Sequence, residues 1–331
     1  MADPLTTLIA ERGVLLADGA TGTNLFEMGL ESGEAPDLWN EQFPDRVRAL
    51  HRGFVDAGAD IILTNTFGGT RHRLKLHDAQ DRVEEINRLG AALAREVVDA
   101  APRRVLVAGS VGPTGELLQP LGELTYAGAV EAFAAQIEGL RAGGVDLVWV
   151  ETMSAADEMR AAIEAAEAAN MPVTVTASFD TAGRTMMGIT PANLAEVTRG
   201  AVAHGANCGV GASDILASLL DMRDDGRPLI VKGNCGIPQF KGAVVHYSGT
   251  AEQMADYTRL AVDAGASVIG GCCGTTFEHL AAMRRALDAH ARGERPNVEA
   301  IVDRIGPLVN ALPGADTGVL KRERRGRRRV A

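Results

Sequence analysis

The chain has 331 residues, 46% of them hydrophobic and 4% aromatic, with a formal net charge of −10. No apolar run approaches the roughly 20 residues needed to span a bilayer, and the start MADPLTTLIAERG lacks the basic and apolar segments of a signal peptide, so a cytoplasmic location is expected. The acidic balance argues against nucleic acid as the main partner, and four cysteines in so long a chain point to metal binding or catalysis rather than to a disulfide framework.

Short apolar, β-branched runs that stop at glycine or polar residues recur along the chain. In order they are VLLADG (14–19), ADIILTNTF (59–67), RVLVAGSVG (104–112), DLVWVET (146–152), PVTVTASF (172–179), GANCGVGAS (205–213), PLIVKGNCG (228–236) and ASVIGGCCG (266–274). GANCGVGAS carries the least strand propensity, because of its glycines. Between the runs lie alanine-rich stretches with helical spacing, such as DRVRALHRGFVDAG, AVEAFAAQIEGLRAGG, AADEMRAAIEAAEAAN and AEQMADYTRLAVDAG, several of which end in a capping glycine or asparagine.

Strand and helix alternating eight times predicts an α/β fold, a single-domain (β/α)8 TIM barrel over residues 1–300. A doubly wound sheet with added strands is the alternative, and the lack of a composition break or long linker favours the barrel. Residues 301–331 read as a C-terminal extension. Its tail KRERRGRRR (321–329) holds seven positive charges and one negative, which leaves the remainder of the chain at −16. Such a basic terminus is expected to be solvated and disordered.

Barrels of this kind carry their active sites at the C-terminal ends of the strands. That end of the eight runs holds Asp18 with residues 19–23, Thr64 to Thr66, Ser110 with Gly112 and Pro113, Glu151, Asp180, Cys208, Asn234 with Cys235, and Cys272 with Cys273. All four cysteines fall there, after strands six, seven and eight. A lone cysteine reads as a small buried hydrophobe; the set reads as a ligand group. Three thiolates suit zinc, with a fourth position left for water or substrate. Strands six and eight stand two spacings apart, roughly 10 Å, which side chains leaning over the mouth can bridge through a metal, and the flanking glycines let the backbone turn closely around it.

The segments ADGATGTNL (17–25), TNTFGG (64–69), GSVGPTG (109–115), GANCG (205–209) and GGCCGT (270–275), with Glu151 at the end of VDLVWVE, resemble the homocysteine S-methyltransferase family. That family includes the homocysteine domain of cobalamin-dependent methionine synthase and betaine–homocysteine methyltransferase, and the resemblance runs from about residue 10 to 290. It implies a zinc-dependent S-methyltransferase that makes methionine from homocysteine. Carried over by residue, it implies Zn2+ on Cys208, Cys272 and Cys273, with the homocysteine thiol in the fourth position. It places the substrate's α-ammonium on Glu151, and its amino-acid group against Asp18 and the backbone amides of Gly19, Ala20 and Thr21. Structural roles stand beside these: Asp18 could cap a turn and Glu151 the following helix. Cys235 falls outside the trio, and Asn234 is expected to complete the zinc shell when substrate is absent.

The donor stays open between betaine and a methylcorrinoid. Betaine requires an aromatic cage, for which Trp39 is a candidate wall, but Gly68, Gly69 and Thr152 stand about where betaine-using members carry tyrosines. One barrel uses up the 331 residues, so a corrinoid is expected to arrive on a partner protein. S-methylmethionine is a third donor, and a non-catalytic zinc site or a redox switch of Cys272 and Cys273 is the reading from a different class.

Overall fold

The computed structural model describes residues 3–310 apart from Ile237, Gly242 and Ala243; the C-terminal extension beyond residue 310, with its basic tail, lies outside the described residues. Among the described residues ten strands follow in chain order: β1 (Leu15–Leu16), β2 (Ile61–Leu63), β3 (Leu106–Val111), β4 (Leu147–Met153), β5 (Val173–Ala177), β6 (Ala203–Cys208), β7 (Leu229–Gly233), β8 (Pro238–Lys241), β9 (Val244–Tyr247) and β10 (Val268–Gly271). β8 and β9 pair antiparallel as a separate hairpin. The other eight form a parallel sheet in the order β1-β10-β7-β6-β5-β4-β3-β2, and a parallel bridge from Ala17 to Ile61 joins its two edges. The result is the expected single (β/α)8 barrel. Among the described residues no helix is long and apolar enough to cross a membrane.

Two apolar layers follow from the period of two along each strand. One alternate set, with Leu15, Ala17, Ile61, Leu63, Leu106, Ala108, Leu147, Trp149, Ala203, Ile230 and Val268, fills the barrel interior, and Leu5 and Leu8 of the first helix (Pro4–Arg12) pack onto it. The other set, including Val107, Val148, Val150, Val175, Val231 and Ile269, meets the outer helices. Trp149 is fully buried, and truncating such an interior ring to alanine costs about 3–5 kcal/mol. Helix ends obey local chemistry: Thr250 accepts from the amide of Gln253 to start Ala251–Ala264, and Gly265 stops it in a left-handed conformation at φ 104°.

Two departures from the sequence reading stand out. β6 begins at Ala203 and ends at Cys208, because residues 209–211 turn into the helix Ala212–Asp221 instead of extending the strand. The hairpin β8–β9, between β7 and β10, is an element that the eight apolar runs do not predict.

Candidate active site

Alternation that places apolar side chains inside the barrel turns polar one step further along each strand. The series Leu147, Trp149 continues to Glu151; Leu106, Ala108 to Ser110; Ile230 to Lys232; and Val268, Gly270 to Cys272. Glu151, Ser110, Lys232 and Cys272 all line one cavity of about 440 Å³ at the C-terminal mouth, together with Cys208, Cys273 and the loop Gly19, Ala20, Thr21. A cavity of that size suits a small metabolite.

Cys208 breaks the alternation. Its φ of 63° is left-handed, a conformation that an ordinary side chain adopts at a cost, and that turn brings it to the mouth. The sulfurs of Cys208, Cys272 and Cys273 come within 4.8 Å of one another. Two asparagines support them. Asn234 Nδ2 donates to the carbonyl of Gly209 at 2.8 Å and points to Cys208 Sγ at 3.8 Å, while its Oδ1 accepts from the Cys273 amide at 3.0 Å. Asn207 Nδ2 lies 4.0 Å from Cys272 Sγ. Tyr247, at the end of the hairpin, hydrogen-bonds Cys273, and Gly274, at φ 79°, leaves room for its ring: a Cβ there would lie 2.3 Å from Tyr247 Cγ.

Crowding raises all three thiols. For Cys208 the hydrogen bond with Cys272 is the main cause, and for Cys273 the hydrogen bond with Cys208, which helps push it up to about 11. For Cys272 the bond with Cys208 acts downward, but Cys273 and burial outweigh it. Three converging sulfurs that resist ionisation together fit a thiophilic dication, since only added positive charge lets all three become thiolates. Cys235 stands apart: it is buried, its thiol is pushed up to about 12 by that burial, and its sulfur packs against Gly249.

The charged floor differs from the sequence expectation. Asp18 is 1% exposed and is absent from the cavity lining. Its Oδ1 accepts from Lys232 Nζ at 2.7 Å and its Oδ2 from the Leu63 amide at 2.7 Å, so the carboxylate is occupied by the protein itself. Lys232 escaped the sequence reading because a lysine in PLIVKGNCG resembles a solvated strand end; only its partner, far away in sequence, gives it meaning. Glu151 faces the cavity, accepts a 2.5 Å hydrogen bond from Ser110 Oγ and caps no helix. Burial raises its carboxyl above the usual range, with Lys232 and Ser110 pulling the other way.

Trp39 is a correction. It is 1% exposed, packs in the outer core with Leu25, Val47 and Leu50, and is absent from the cavity lining. Its ring instead meets Phe43 and the guanidinium of Arg46. Of the described lining residues only Phe26 and Phe67 supply phenyl rings, beside Glu34, Asp37, Arg73 and His77 on the outer wall. Asp37 is buried there, accepts from the Gly68 amide, and is raised to about 6 by desolvation.

Residues 15–287 match the family model described as homocysteine S-methyltransferase. The chain is 31% identical to methionine synthase of Mycobacterium tuberculosis, across 96% of this chain and 28% of that protein. It is 32% identical to methionine synthase of Mycobacterium leprae, across 88% of this chain and 26% of that protein. The chain thus spans about a quarter of the length of these curated relatives. Among solved structures, the metallated form of the homocysteine methyltransferase MmuM from Escherichia coli aligns with a TM-score of 0.69 at 25% identity, covering 86% of this chain and 99% of that one. Its oxidised form aligns with a TM-score of 0.67 at 27% identity and the same coverage.

Proposed function

Because the chain belongs to the homocysteine S-methyltransferase family, we propose that it methylates the thiol of homocysteine to form methionine, using zinc held by Cys208, Cys272 and Cys273. The observation that carries this reading is the convergence of three sulfurs in a cavity that also exposes the Glu151 carboxylate. Zinc, when bound, would supply the positive charge that keeps the substrate thiol ionised at neutral pH.

The chain's own residues supply the rest. Glu151, oriented by Ser110, takes the α-ammonium, and the backbone of Gly19, Ala20 and Thr21 forms the wall beside it. Asn234 and Asn207 direct amide N–H groups toward Cys208 and Cys272, which steadies the sulfurs. The substrate sulfur then uses a lone pair to bond the donor's methyl carbon. The bond between methyl and donor breaks with its electrons staying on the donor, and the thiol proton passes to solvent.

For the donor we read a methylcorrinoid presented by a partner protein ahead of betaine, because Trp39 is buried away from the cavity and the described lining residues offer two phenyl rings, Phe26 and Phe67, toward an aromatic cage. S-methylmethionine is the second reading, supported by the carboxylates of Glu34 and Asp37 on the outer wall, which suit a cationic donor. Gently purified protein should hold one zinc per chain and form methionine from homocysteine with methylcobalamin or S-methylmethionine, not with betaine. Absence of zinc, or a zinc–sulfur absorption spectrum indifferent to homocysteine, would overturn the enzymatic reading in favour of a structural or redox site.

A further inference from the structure

We propose that Lys232 binds the α-carboxylate of the amino-acid substrate and that Asp18 is the positioning residue that holds its ammonium in place. This rests on the homocysteine reading of the site and adds to it a specificity residue.

The first argument is placement. Lys232 sits in β7, in register with Asn207 of β6 and Gly270 of β10, and its side chain lines the cavity near the loop Gly19 to Thr21 and Glu151. Neighbouring backbone makes room for it. A Cβ added to Gly270 would stand 2.9 Å from Lys232 Cγ, so the glycine of the GGCCG segment gives clearance to the lysine stem. The ring of Trp149 lies below, with Nζ 5.5 Å from its centroid.

The second argument is a count of donors and acceptors. An ammonium has three N–H donors. Among the described residues Lys232 spends one, on Asp18. Asp18 directs one oxygen to Lys232 and the other to the Leu63 amide, and at 1% exposure, outside the cavity lining, it does not face a substrate ammonium. Burial alone would lower the lysine, but Asp18 and Glu151 together raise it above its ordinary value, so it remains a cation at neutral pH.

The third argument is charge matching. An α-amino acid brings one ammonium and one carboxylate. Glu151, whose carboxylate has only Ser110 as a hydrogen-bond partner among the described residues, answers the ammonium. Beside the backbone amides of Gly19 to Thr21, a cation on the same wall answers the carboxylate. The arginine lining the cavity, Arg73, stands on the segment after β2 and acts on Asp37, whereas Lys232 stands with Glu151 and Cys272. A buried ion pair is in general a poor source of stability compared with apolar packing, so a pair at the cavity floor is better explained by a ligand that uses its spare donors.

The test compares homocysteine with 3-aminopropane-1-thiol, which keeps the thiol and ammonium and lacks only the carboxylate. Dissociation constants are measured calorimetrically on zinc-loaded protein: wild type, Lys232→Arg, and the double variant Asp18→Asn/Lys232→Met, which removes the pair without stranding a carboxylate. Wild type should prefer homocysteine roughly 10–100-fold, the scale of a charge-assisted hydrogen bond. The double variant should lose most of that preference while binding the decarboxylated thiol about as wild type does, and Lys232→Arg should keep part of it. Zinc affinity, read by chelator competition, should be the same in all three. A preference that survives in the double variant, or equal weakening of both thiols, would assign the pair a structural role and overturn the proposal while leaving the homocysteine reading intact. Failure of homocysteine to bind wild type at all would overturn both.

Discussion

Asn207 and Thr152 exchange two hydrogen bonds across the barrel mouth: the Thr152 amide donates to Asn207 Oδ1 at 2.8 Å, and Asn207 Nδ2 donates to Thr152 Oγ1 at 2.7 Å. Thr152 has a left-handed φ of 62°, and the β4–β5 register shifts between Val150 and Met153. The asparagine thereby fixes the backbone next to Glu151 and, one residue before Cys208, the end of β6. Replacing Asn207 by alanine removes both bonds from the half-buried Thr152, a loss of about 1–3 kcal/mol. Zinc retention and homocysteine affinity should fall together, each by roughly 5- to 150-fold at most from that energy, as read by chelator competition and calorimetry. Unchanged zinc affinity with weaker homocysteine binding would confine its action to the β4 end.

Alanine at Cys208, Cys272 or Cys273 should abolish zinc retention and turnover. Cys235→Ala should spare both, because that sulfur packs against Gly249 and lies outside the converging trio. Metal analysis of the four purified variants decides the matter, and zinc loss at Cys235 comparable to the others would sink the ligand assignment.

Asp37 gives a pH-dependent prediction. Its carboxyl is raised to about 6 by burial, against roughly 4 in an unfolded chain. Below about pH 4 both states are protonated and the group costs nothing. Between about pH 4 and pH 6 the unfolded chain gives up the proton that the folded protein keeps, so stability falls across that window, and above 6 the penalty levels off at about 2–3 kcal/mol. Asp37→Asn, which can still accept from the Gly68 amide, should therefore leave stability unchanged at pH 4 and raise it at pH 8, measured as urea midpoints. If S-methylmethionine is the donor, the same variant should also raise its KM.

Much of this was legible because barrel strands announce themselves as apolar runs and barrel chemistry collects where those runs end. Glu151 and the cysteines were found that way. Lys232 was not, since the carboxylate that gives it meaning, Asp18, is 214 residues away and no local pattern links them. Trp39 misled for the opposite reason: its position after strand one suggested the mouth, but the short helix Trp39–Gln42 turns the ring into the outer core, where an apolar ring gains more from burial than from solvent. Tyr247 reaches Cys273 from a hairpin between β7 and β10, and a reading by barrel strands alone passed over it.

Glu151 carries the last prediction. In the proposed reading its ionised form accepts the substrate ammonium, and its carboxyl is raised by burial. Binding should therefore weaken as pH falls, beginning at a higher pH than an ordinary carboxylate would give, because protonation removes the charge that the ammonium meets. Glu151→Gln keeps the shape and an acceptor for Ser110 but lacks the charge, so homocysteine affinity should drop roughly 10–100-fold at neutral pH. Over the range in which the wild type loses affinity, the variant should show no such pH dependence, while zinc content stays at the wild-type level. Titrating homocysteine into both proteins between pH 5 and pH 8, a range set by ordinary carboxylate and histidine values, separates the outcomes. A variant that keeps the wild-type slope would place the titrating group elsewhere and take Glu151 out of substrate binding.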